Sequence, residues 1–197
     1  MNRIPDWAVA SAVAAPVLLI GGWTIAADLQ TASYDPIQDT ISALAAHGAT
    51  DRWVMTTALA GLGACHFVTA AGLRPARRVG RAVLATGGAA TVLVAAFPQP
   101  ARGDSVAHTV AATVAFTALG VWPVFAGWRR APAPLLTRAV SAVASGCLLG
   151  LVGWFALELG GEQRGLAERA AAGAQALWPL AVVLTTRRAS ARAGLPQ

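Results

Sequence analysis

Tyr34-Asp35-Pro36-Ile37-Gln38-Asp39-Thr40-Ile41-Ser42-Ala43-Leu44-Ala45-Ala46-His47-Gly48 is the longest polar-containing connection in a chain built otherwise from apolar runs. Its spacing predicts one short amphipathic helix. Asp35 suits the N-cap, Pro36 the first helical position, and Gln38 the third residue of a capping box. Ile37, Ile41, Leu44 and Ala45 recur at the spacing of one apolar helical face, with Asp35, Asp39 and Ser42 on the other. Gly48 is a natural stop. A helix of this kind lies flat at a membrane surface with its carboxylates toward water or neighbouring loops.

The runs on either side decide the class. The chain has 197 residues, of which 56% are hydrophobic and 12% charged. A soluble domain carries about 25% charged residues. Six apolar segments approach the ~20 residues that span a bilayer: Trp7–Ala27, Trp53–Leu73, Ala82–Phe97, Ser105–Trp128, Ala139–Leu157 and Ala170–Thr186. The third and sixth are short, and Arg81, Arg169 and Arg187 are placed to snorkel at their ends. The first run exceeds a signal-peptide core of about 7–15 residues and follows only one basic residue, Arg3, so it reads as a retained helix. The expected fold is all-α: a single six-helix transmembrane domain over residues 1–188, an amphipathic helix after the first span, and a short tail at 189–197.

Charge orients the bundle. All 15 basic residues are Arg, and they sit in clusters between the apolar runs. In the six-span reading, 11 Arg and one acid (Asp6) fall on one side, and 4 Arg and 8 acids on the other. The positive-inside rule then places both termini in the cytoplasm of a cell-membrane protein and turns the Asp35–Gly48 helix outward. The same clustering argues against nucleic acid as a partner, which would need a continuous basic face. Cys65 and Cys147 read as small buried thiols. Gly146 and Gly150 form a GxxxG pair; with Gly61, Gly63, Gly87 and Gly88 they predict close helix packing within the chain, or a dimer face at Gly146 and Gly150.

Three polar constellations fall at the acidic ends of the spans: Asp39 with Ser42, Asp104 with His108 one turn later, and Glu158 and Glu162 followed by Glu168-Arg169. Each residue alone also reads as a solvated helix-end charge. His108 stands out, because a His one turn into an apolar run suits a proton acceptor, an oriented ligand or a structural hydrogen bond. Asp39, His108 and Glu168-Arg169 are expected to converge at one mouth of the bundle, with Ser42 and Asp104 completing the candidate site. His66, deep in the second segment, reads as an interhelical hydrogen bond. No HExxH, GxSxG, CxxC or phosphate loop occurs, so no cofactor and no metal site is expected.

These residues also carry a resemblance. Tyr34 to Leu44 resembles the Y-x-P-x-x-D-x-I-S-x-L signature of domain-of-unknown-function family 998. Phe97-Pro98 with His108 and Phe116 resembles its FP…H…F pattern, and Gly165-Leu166-Ala167-Glu168-Arg169 with Trp178 its G-x-x-E-R…W ending. Gln99 stands where an acid is often found after Phe-Pro. The resemblance implies a six-helix integral membrane protein, distantly similar to the Frag1/DRAM-like group, and implies no activity.

Three functions stay open: binding or handling of a membrane lipid or small amphiphilic ligand at the polar site; an intramembrane, metal-assisted hydrolase using Asp39, Asp104, His108 and Glu168; and an accessory subunit docking a membrane partner or a second copy through its small-residue faces.

Overall fold

The computed structural model describes residues 3–31, 34–131 and 133–193. Among them the chain is all-α, with helices α1 (Asp6–Asp28), α2 (Ile41–Leu44), α3 (Trp53–Gly72), α4 (Arg78–Ala96), α5 (Val106–Ala126), α6 (Arg138–Leu157) and α7 (Arg164–Ala193), and a 3-10 turn at Pro134–Leu136. Five of them, α1, α3, α4, α5 and α6, are long and apolar enough to cross a membrane, the pattern of a multi-pass membrane protein. α7 is longer but more polar, and it does not meet the same measure. It runs through Ala193, so residues 189–193 are helical.

Successive long helices pack antiparallel in the order α1, α3, α4, α5, α6, and α7 closes the bundle against α1 and α6. Small residues set how near they come. A Cβ on Gly63 would lie 2.5 Å from the Gly88 carbonyl, and one on Gly80 would lie 2.4 Å from the Ala126 nitrogen. Glycine at these points lets α4 touch α3 and α5 backbone to backbone, the contact that replaces hydrophobic attraction where the solvent is lipid. Gly146 and Gly150 behave differently: a Cβ on either meets nothing within 4 Å, so the GxxxG pair lies on an open face of α6. Cys147 is exposed on that helix and Cys65 is half-buried, so neither is the fully buried thiol the sequence suggests.

The apolar core has two parts. One, toward the basic ends of the helices, is built around Leu73, Leu84, Leu119, Trp122 and Val182. The other, toward the acidic ends, gathers Leu19, Ile41, Leu44, Met55, Leu59 and Leu62. Ile41 and Leu44 belong to α2, so this short element is part of the core.

The Tyr34–Gly48 stretch is not one helix. Pro36–Gln38 form a turn, and α2 follows as a separate four-residue helix. Asp35 caps locally: its Oδ1 accepts the Ile37 N–H at 2.8 Å, closing a tight Asx turn. Thr40 is the true N-cap, its hydroxyl accepting the Ala43 N–H at 3.1 Å. Two residues with local capping chemistry, five apart, split the helix that the periodicity alone predicts. Ile37 is consequently 51% exposed, whereas Ile41, Leu44 and Ala45 are buried. Gly48, expected to stop the helix, lies beyond it in a later turn at φ +104°, because α2 already ends at Leu44 with Ala45 as its C-cap.

Candidate functional site

The site forms where α2 lies across the acidic ends of α5 and α7. Ser105 caps α5, its hydroxyl accepting the His108 N–H at 3.3 Å, and this fixes the first turn of that helix. His108 then points inward. Its Nδ1 lies 2.9 Å from the Phe97 carbonyl at the end of α4, and its Nε2 lies 3.2 Å from Ser42 Oγ on α2. Ser42 in turn contacts Glu168 Oε1 at 3.1 Å. Glu168 Oε2 accepts the Ile41 N–H in a short hydrogen bond. The three side chains are buried, with 9% of Ser42, 3% of His108 and 4% of Glu168 exposed.

Proton inventory orders this line. A carbonyl only accepts, so Nδ1 carries the hydrogen, and the neutral imidazole presents a lone pair at Nε2 to Ser42. Ser42 has one proton to give, to His108 or to an ionised Glu168. Burial pushes the Glu168 carboxyl up to about 7, against the opposing pull of the Ile41 and Ser42 hydrogen bonds and the Arg169 charge. In its protonated form Glu168 donates to Ser42, Ser42 to His108 and His108 to Phe97, and every member is satisfied in a single direction.

Arg169 holds the site from outside. Its Nη1 donates to the carbonyls of Pro36 (2.8 Å), Asp39 (2.8 Å) and Gly165 (2.9 Å). Its Nη2 donates to the Tyr34 hydroxyl in a short bond. The guanidinium also faces the Trp23 ring, with Cζ 5.9 Å from its centroid. Burial raises the Tyr34 phenol above its ordinary range, with the Arg169 charge opposing the rise. Gly165 makes this approach possible: a Cβ there would lie 2.2 Å from the Asp39 carbonyl oxygen.

Beneath the Ser42–Glu168 contact lies a cavity of about 50 Å³, walled largely by apolar side chains such as Leu19, Leu59, Leu62 and Phe116. His66 and Gln175 also line it, and both are 1% exposed. The Gln175 amide nitrogen donates to the Phe116 carbonyl at 2.8 Å, while its Oε1 and the His66 Nδ1 are buried without a hydrogen-bond partner. His66 is therefore not the fully satisfied interhelical histidine that its position in the sequence suggests.

A family model described as "Protein of unknown function (DUF998)" matches residues 12–185. The chain belongs to the DUF998 family. Among curated proteins and among solved structures, no match is found. In this DUF998 chain the three stretches quoted from the sequence meet in space: Tyr34–Ser42, Phe97 with His108, and Gly165-Glu168-Arg169 are one contact network.

The predicted site residues divide. Ser42, His108 and Glu168 come together directly, and Arg169 joins them through the backbone of the 36–39 turn. Asp39 is adjacent, but its carboxylate is turned away, accepting the Asp35 N–H at 2.9 Å and lying 3.8 Å from Arg164. Arg169 thus binds the Asp39 carbonyl and not its carboxylate. Asp104 is exposed and, among the described residues, makes no hydrogen bond to His108. Both His108 nitrogens are engaged by Phe97 and Ser42, and no group of three or more His, Cys, Asp or Glu among the described residues is placed to hold a metal ion. Sequence reasoning missed the Phe97 carbonyl, Gln175 and the clasping role of Gly165. Phe97 and Gly165 carried a signal, as members of the FP…H…F and G-x-x-E-R patterns, and Gln175 carried none.

Proposed function

We propose that the protein is a six-span membrane protein that binds the polar head of a lipid or other amphiphile at Ser42, His108 and Glu168. One observation carries this reading: a buried Ser–His–Glu line roofs an apolar cavity in which His66 Nδ1 and Gln175 Oε1 lack partners. Buried polar atoms are nearly always paired, so spare hydrogen-bonding capacity against apolar walls is the composition of a ligand site. The cavity takes only the end of such a molecule, and the remainder lies along the bundle surface. α7 acts as the sixth span through Ala170–Thr186. The Arg asymmetry supports cytoplasmic termini and a site in the outer leaflet.

The test is lipid analysis of protein purified in mild detergent. The wild type is expected to retain a defined amphiphile that Ser42→Ala and Glu168→Gln release. Equal lipid content in all three proteins would remove the site. For sidedness, an impermeant thiol reagent applied to intact cells is expected to label Ala46→Cys and spare Ala191→Cys. Both tests use a background with Cys147, the exposed native thiol, replaced.

A second reading has its own support. Ser42 Oγ lies 3.2 Å from a His108 nitrogen whose tautomer is set by Phe97, the arrangement of a base-activated nucleophile. On an ester, Ser42 would add to the carbonyl carbon while its proton passes to His108 Nε2. That proton would then leave with the departing alkoxide, and water would release the acyl group. A fluorophosphonate adduct on Ser42, lost in His108→Asn, would favour this hydrolase over a binder.

A further inference from the structure

We infer that the opposite end of the bundle carries a binding site for the phosphate of an anionic phospholipid, built from arginines around Trp128. Two clefts flank this indole. One, of about 570 Å³, is lined by Arg74, Arg77, Arg78 and Arg81; the other, of about 510 Å³, by Arg77, Arg129, Arg130 and Arg138. They share Arg77, whose guanidinium lies over the Trp128 ring at 5.8 Å.

The frame that carries these charges is rigid. Trp128 is pinned at its edge by the indole N–H, which donates to the Pro75 carbonyl at 3.0 Å. Its backbone exchanges two hydrogen bonds with the segment entering α6, from its N–H to the Leu136 carbonyl at 2.8 Å and from the Arg138 N–H to its own carbonyl at 3.1 Å. The Arg77 N–H reaches the Ala126 carbonyl at 3.2 Å and ties the α3–α4 turn to the end of α5. Arginines from two separate connections are thereby held facing the same two clefts.

Their charge is uncompensated. Arg81 serves the fold, donating to the Ala70 and Ala71 carbonyls at 2.7 Å each. Among the described residues, Arg74, Arg77, Arg78, Arg129, Arg130 and Arg138 form no ion pair; the nearest acid in the sense of bundle end, Asp6, is taken by Arg187 at 2.6 Å. Six guanidinium groups without a carboxylate repel one another, and an anion relieves that repulsion. Guanidinium matches phosphate oxygens two at a time, which a lysine cannot do. Trp128 and Val79, 42% and 53% exposed, stand beside the clefts. An indole at the end of a membrane helix belongs at headgroup depth. That apolar shoulder favours a lipid over free phosphate, and basic pockets between helix ends are where anionic headgroups dock.

The experiment uses the full chain in nanodiscs of phosphatidylcholine alone or mixed with phosphatidylglycerol, with retained lipid measured by native mass spectrometry. The wild type is expected to keep phosphatidylglycerol selectively. Arg77→Gln with Arg130→Gln should weaken retention roughly ten- to thirtyfold, from about 1 kcal/mol per arginine near the surface. A charge-matched control, Arg188→Gln with Arg192→Gln on α7, should keep it. If the first pair lowers thermal stability, Arg129→Gln with Arg130→Gln must show the loss instead. Equal loss in the control would mean diffuse charge with no site and would overturn the inference. So would absence of selective retention by the wild type, or full displacement of phosphatidylglycerol by inorganic phosphate.

Discussion

Glu168 and Ser42, 126 residues apart in sequence, meet at 3.1 Å between Oε1 and Oγ, both buried. The contact joins α7 to α2 and places a carboxyl against a hydroxyl that also reaches His108. The behaviour of the acidic end of the bundle follows from this pair.

Removing the carboxyl leaves the Ile41 N–H without its partner, while the Ser42 hydroxyl keeps its contact with His108. A buried polar group left unmade costs about 1–3 kcal/mol. Glu168→Ala should therefore destabilise the protein by roughly 1–3 kcal/mol, the cost of the one buried N–H left unmade. Glu168→Gln keeps an acceptor for Ile41 and should lose less. Thermal melts in detergent check the order; an Ala variant as stable as the Gln variant would contradict it.

The raised pKa of Glu168 gives stability a definite pH dependence. Its ordinary value is 4.5 and its folded value about 7. Below 4.5 the carboxyl is protonated folded and unfolded, and its contribution is fully present. Between 4.5 and 7 the folded state holds a proton that the unfolded state has released, so stability falls as pH rises and levels off above 7. His108, Asp39, Tyr34 and Arg169 stand around the same carboxyl, so the comparison is wild type against Glu168→Gln. The difference between their unfolding free energies should slope downward across that window; a flat difference would count against burial of a titrating carboxyl.

Gly165 and Gly146 offer a paired test of packing. Gly165→Ala puts a methyl 2.2 Å from the Asp39 carbonyl, which must move. Proteolysis of the 34–48 segment should quicken and the melting temperature drop. Gly146→Ala meets open space and gains helix propensity worth about 0.5–1 kcal/mol, so stability should hold or rise. A reversed order of the two variants would mean that the 36–39 turn does not rest on α7.

Arg169 is expected to resist its usual replacement. Its fork reaches three carbonyls and a phenol at once, and a lysine ammonium cannot span them. In Arg169→Lys, amide hydrogen exchange should accelerate at Gln38 and Asp39, whose N–H groups close the 35–39 turn, while α4 stays protected. Unchanged exchange in that turn would show that the clasp contributes nothing.

The sequence by itself determined the class: an all-α chain with long apolar helices, charged clusters confined to the connections, and a polar set of Asp39, Ser42, Asp104, His108, Glu168 and Arg169 near helix ends. Those follow from local composition and from the high energy of placing charge in an apolar medium, both legible one residue at a time. Tertiary structure alone decided the rest. Whether 35–48 is one helix or a turn and a helix depends on which caps win, and Thr40 wins because Glu168 takes the Ile41 N–H from across the bundle. Asp39 and Asp104 look equivalent to Glu168 in sequence, yet only Glu168 lies on a helix face that α2 covers. Gly165 and Gly146 are the same residue, and only a neighbour's backbone, 2.2 Å from one absent Cβ and absent at the other, separates a clasp from an open surface. Contacts between distant segments carry no local signature, because the physical partner of each residue is chosen by how the helices pack.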